Sequence, residues 1–203
     1  MNENLRPVAI HEAGHSYMAW RTGRRVGPVT IRPGTVAAGV SHFDPPQLTS
    51  RERERLDLQA PYLLWPAAVR HKIDTDAMVT AAGHEAERTL RRTTAARRVG
   101  DTAAEAAAQI AAAKPPTRNE ERLLALSRAA ADPRSDDEHL AALMRLVAPT
   151  DIATGTAWLN HITAQARAVL RAGAPAVYRL TEALLEHKDL SGRAVCAILR
   201  PAP

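Results

Sequence analysis

Aromatic side chains make up only 3% of this 203-residue chain, although 45% of it is hydrophobic. The core must therefore be built from Leu, Val, Ile and Ala, which favours helices, and the alanine-rich run Ala103–Ala113 points the same way. Cysteine is reduced to Cys196. Neither an intrachain disulfide framework nor a cysteine-based zinc site can form, and a reducing, cytoplasmic setting is expected. Lysine occurs only at Lys72, Lys114 and Lys188, so the net charge of +5 rests on arginine. Those arginines alternate with acids, as in Arg51-Glu52-Arg53-Glu54-Arg55, which describes a mixed solvated surface and not a nucleic-acid stripe. No apolar run approaches the ~20 residues that span a bilayer, and no signal-peptide pattern is expected ahead of the first helix, so no membrane partner is expected. A G-x-x-x-x-G-K-[ST] loop is missing too, which excludes a P-loop ATPase in these residues.

What is there concentrates near the start, in Pro7 to Gly23, PVAIHEAGHSYMAWRTG. The pattern predicts a helix, with Pro7 tolerated in the first turn, Asn4 as cap, and Gly23 as the stop after Arg21. Inside it, His11-Glu12-Ala13-Gly14-His15 reads H-E-x-x-H. Residues four apart lie on one helix face, so two imidazoles can reach one zinc ion at about 2.0–2.1 Å. Glu12 stands about 100° further round the axis. There it is a poor third ligand but well placed to take a proton from a metal-activated water. Gly14 costs roughly 1 kcal/mol against alanine inside a helix, which implies close approach by another element. The competing reading is a buried amphipathic helix with two hydrogen-bonded histidines.

A hairpin is predicted next. Val29-Thr30-Ile31 forms one strand, Pro33-Gly34 the turn, and Val36–Phe43 the return. Its edge could hold an extended substrate through Val36, Ala37, Ala38, Gly39 and Val40, with His42 as a further substrate contact, or it could be an ordinary packing hairpin. Helices are then expected over 50–58, capped by Thr49 or Ser50, and in a broken stretch around Pro66. Others are expected from Asp74 or Thr75 to Leu90, over 101–114, within 118–134, and over 137–147, 157–171, 174–187 and 191–199, with 149–156 turn-like. The fold class is mainly α with a small β-hairpin after the H-E-x-x-H helix. A single domain over 1–203 is expected, with 115–156 as a helical insertion or lid.

A catalytic zinc needs a third ligand and an open position. The residues after His15 exclude the H-E-x-x-H-x-x-G-x-x-H form, so the ligand comes from a later segment. Glu85 and Glu87, in the polar cluster Gly83-His84-Glu85-Ala86-Glu87, are candidates, as are Asp101 and Glu105. Asp101 could equally be a helix N-cap.

The run VAIHEAGHSYMAW, the hairpin PVTIRPG…AGVSHF, the helix AAGHEAERTL, the segment VGDTAAEAAAQIA and the ending LTEALLEHKDLSGRAV occur in this order. In this they resemble the protease domain of FtsH-like zinc metallopeptidases, over roughly residues 7–43, 76–111 and 174–196. The resemblance implies a zincin-like helical peptidase fold, zinc bound by His11 and His15, Glu12 as general base, and Asp101 as acidic third ligand. A register slip would make that ligand Glu105. Glu87 matches an acid that is structural in the family, and His84 replaces the family's arginine. The family's ATPase module and membrane anchor have no counterpart here. An ATP-independent zinc metallopeptidase acting on peptides or unfolded protein is thus expected, as a homo-oligomer or with a separate partner protein. The alternatives are a zinc hydrolase for a small amide metabolite and a non-catalytic binding module.

Overall fold

The computed structural model describes residues 5–32, 40–43, 48–54, 57, 60–90 and 135–200. Within them the chain is mainly helical with a small antiparallel hairpin, as the sequence predicts. The elements are α1 (Arg6–Arg21), β1 (Val26–Thr30), β2 (Val40–Phe43), α2 (Ser50–Glu54), a short 3-10 turn (Tyr62–Leu64), α3 (Ala67–Leu90), α4 (Asp136–Val147), α5 (Ile152–Ala172), α6 (Ala174–His187), β3 (Asp189–Leu190) and α7 (Gly192–Leu199). They fall into two compact units. One comprises Met1–Asp44, Ala81–Ala96 and Ala164–Pro203, and the other Pro45–Thr80 and Arg97–Thr163.

In the first unit, α1 packs on α6, on β1 and β2, and on α7. Ala9, Ile10, Ala13, Met18 and Ala19 of α1 are buried, as are Val177, Leu180 and Leu184 of α6. The N-cap position is Leu5, whose side chain makes no capping bond, and the expected cap Asn4 lies outside the described residues. It ends at Thr22, and Gly23 follows at a φ of 75°, the left-handed conformation that glycine adopts without a Cβ penalty. The sheet order is β2-β1-β3, which leaves β2 at an edge among the described residues. Both pairings are antiparallel, and β1 starts three residues before the predicted strand. The β1–β2 register slips between Val26 and Val29. Pro28 explains the slip, because it has no N–H to give to the ladder.

In the second unit, α2 is held by a reciprocal capping box. Glu52 N donates to Thr49 Oγ1 at 3.2 Å, and Thr49 N donates to Glu52 Oε2 at 2.7 Å. The α3 helix opens at Ala67, not at Asp74 or Thr75. Pro66 precedes its first turn, where a missing N–H is no loss, so a proline read as an interruption marks the start instead. Similarly, α5 begins at Ile152 within the stretch expected to be turn-like. Asp151 Oδ1 accepts from the N–H groups of Ala153 at 3.0 Å and Thr154 at 3.2 Å, an N-cap six residues ahead of the predicted start. Helix α4 is capped by Ser135, which accepts from Glu138 N. No described helix is long and apolar enough to cross a membrane.

Candidate metal centre

The site begins with two close approaches along α1. A Cβ placed on Gly14 would lie 2.5 Å from the Ala82 carbonyl oxygen and 2.6 Å from the Ala86 Cβ. The close neighbour implied by Gly14 is therefore the second half of α3, met through its alanines. The thin helix expected over 101–114 lies outside the described residues.

Next to Ala82, Gly83 lies against the two histidines. His11 Nε2 and His15 Nε2 lie 3.0 Å apart, with ring centroids 4.7 Å apart. Two nitrogens each about 2.05 Å from a tetrahedral zinc are separated by about 3.3 Å, so the pair is spaced to share an ion. A Cβ on Gly83 would lie 2.5 Å from each of those nitrogens. The absent methyl group is what lets both imidazoles close on α3.

Tautomer chemistry agrees. His11 Nδ1 lies 2.8 Å from Glu87 Oε1. An ionised carboxylate only accepts, so Nδ1 carries the proton and His11 Nε2 presents its lone pair towards His15. A carboxylate behind a histidine is the usual way a metal-binding imidazole is oriented. Between the two Nε2 atoms there must be a proton or a cation. The residues fit a zinc ion.

Glu12 is 6% exposed and faces β2. Ser41 Oγ donates to its Oε2 at 2.6 Å and lies 3.0 Å from its carbonyl oxygen. Ser16 Oγ lies 3.3 Å from Ser41 Oγ.

The polar cluster on α3 divides into separate tasks. Glu85 is withdrawn from the metal question: its side chain is 1% exposed, Arg167 Nε donates to Oε2 at 2.7 Å, and Arg167 Nη2 donates to Oε1 at 3.1 Å. The bidentate carboxylate pushes the Arg167 guanidinium above its ordinary pKa. Glu87 is at His11 Nδ1, on the side away from the shared nitrogens. The His84 ring stands edge-on to His11 with centroids 4.9 Å apart. His11, His84 and Glu87 bring ligand atoms within 4.8 Å of one another, a second grouping that could hold a metal. It would have to displace the His11–Glu87 hydrogen bond, whereas the His11–His15 seat uses that bond.

Of the predicted site residues, the structure brings together His11, Glu12 and His15. Asp101 and Glu105 lie outside the described residues, as do Val36, Ala37, Ala38 and Gly39. Val40 and His42 belong to β2, and their side chains are outside the described set. Three contributors escaped the sequence reading. Gly83 carried a signal, since the argument applied to Gly14 applies equally to any mid-helix glycine. Ser41 and Arg167 carried none, because their partners are 29 and 82 residues away.

Neither a scan against protein-family models nor a search of curated proteins returns a match to this chain. The likeness to FtsH-like peptidases therefore rests on the sequence motifs.

Proposed function

We propose that this chain is a zinc-dependent peptidase that hydrolyses extended peptides or unfolded protein segments. The observation that carries the reading is the facing Nε2 pair of His11 and His15 above the methyl-free side of Gly83. A zinc ion there would polarise a water and the scissile carbonyl. His11 and His15 would hold it, with Asp101, or Glu105 one turn on, as the acidic third ligand. Glu87 keeps the His11 proton on Nδ1, so that Nε2 stays a ligand. Glu12 would accept the proton of the attacking water on its carboxylate and return it to the leaving amine. Its near-burial and its anchor on Ser41 favour this task over a solvated surface role.

The substrate would be an extended segment pairing with the edge strand β2 and with residues 36–39 before it, near His42. These 203 residues hold no ATP-binding loop, so unfolding of a structured substrate would fall to a separate partner protein. A cytoplasmic setting is proposed from the single cysteine.

Hydrolysis of unstructured casein by zinc-loaded protein tests the reading. Glu12→Gln should keep its zinc and lose at least about 100-fold in turnover. Unchanged turnover would refute the role of Glu12. Cleavage of small amides with none of casein would favour the small-metabolite alternative.

A further inference from the structure

We infer that Ser41 is a positioning residue for the general base. It ties the edge strand to one oxygen of Glu12 and leaves the other to move the proton. The inference rests on the peptidase reading for its purpose, but not for its geometry.

A serine hydroxyl has one hydrogen to give. Ser41 Oγ is within reach of the Glu12 carboxylate at 2.6 Å, the Glu12 carbonyl at 3.0 Å and Ser16 Oγ at 3.3 Å. The shortest contact is to the charged acceptor, and 2.5–2.7 Å is the typical range for a hydroxyl on a carboxylate. The hydrogen therefore goes to Glu12 Oε2. The Glu12 carbonyl already belongs to the α1 ladder, and Ser16 is left to donate towards the Ser41 lone pair. The order Ser16 to Ser41 to Glu12 runs from α1 to β2 and back to α1.

Two consequences follow. The carboxylate has one oxygen pinned to β2, and among the described residues its Oε1 makes no hydrogen bond, so Oε1 is the atom that exchanges the proton. The pin also lies on the strand proposed to pair with substrate. Ser41 pairs with Val29 in the sheet, so its position is set by the β1–β2 register. A shift of β2 would be felt at Glu12 through a single hydroxyl.

Threonine and valine have the same shape and differ in the hydroxyl, so Ser41→Thr and Ser41→Val form the decisive pair. In crystal structures the Glu12 carboxylate should keep its place in Ser41→Thr and leave it in Ser41→Val. An unmoved carboxylate in Ser41→Val would overturn the inference. In kinetics, kcat should fall about 10- to 100-fold in Ser41→Val, with KM and zinc content held, and recover in Ser41→Thr. Equal kcat in the two variants, or a loss explained wholly by lost zinc, would also overturn it. If the wild-type protein hydrolyses no peptide, the peptidase reading fails on its own, and the crystal comparison still decides whether Ser41 positions Glu12.

Discussion

Two polar clusters, one in each unit, are built in different ways. In the second unit, two carboxylates of α3 meet donors. Asp74 Oδ1 accepts from the Tyr62 hydroxyl at 2.6 Å and from Trp158 Nε1 at 2.8 Å, and Asp76 Oδ2 lies 2.8 Å from His139 Nε2. Burial first, and then the Asp74 carboxylate, keep the Tyr62 phenol protonated well past its ordinary range. Such donor–acceptor pairs fix the packing around them. In the first unit two ring nitrogens of the same kind point at each other across 3.0 Å, above a glycine that leaves room. Donor–acceptor matching marks a structural polar core. Two ring nitrogens at this spacing, each able to offer a lone pair, fit a shared zinc ion.

That contrast can be broken by a pair of substitutions with opposite readouts. Gly83→Ala puts a methyl group against both Nε2 atoms and pushes the two imidazoles from their places. Zinc affinity should drop at least about tenfold, the scale on which disturbing a ligand's surroundings acts, as measured by competition with a chelator. Thermal stability should change little, because the crowding is offset by the gain of an alanine inside a helix. Asp74→Ala should do the reverse. It removes the acceptor of Tyr62 and Trp158 and should cost about 1–3 kcal/mol in denaturant unfolding while zinc content stays the same. Loss of zinc in Asp74→Ala, or full retention in Gly83→Ala, would erase the distinction.

The smallest effect is expected at the surface of the second unit. Lys72, with Thr49, holds the Glu52 carboxyl down to about 2 from an ordinary 4.5. A depressed folded-state value means the contribution is present above about pH 4.5 and is lost as pH falls towards 2. Thermal unfolding across that window should show a slightly shallower loss in Glu52→Gln than in wild type. Identical profiles would mean that the half-buried pair contributes nothing.

Much of the site was legible because it is local. H-E-x-x-H is read along one helix face, and the bounds of α6, Ala174–His187, are those its pattern predicts. Gly14 signalled a close neighbour without naming it. What could not be read depends on partners far apart in sequence. Nothing in GVSHF marks Ser41 as a residue that reaches Glu12. Nothing in AGHEAE separates Glu85, neutralised by Arg167, from Glu87, which orients His11. The helix starts at Ala67 and Ile152 were missed for a different reason. Pro66 and Asp151 are start signals that read equally well as breaks until the chain on both sides is seen.

The account depends most on the paired imidazoles, and metal analysis tests them directly. Wild-type protein purified with zinc and freed of excess should hold one ion per chain, His84→Ala should hold one, and His15→Ala none. A full complement of zinc in His15→Ala, or none in the wild type, would contradict it.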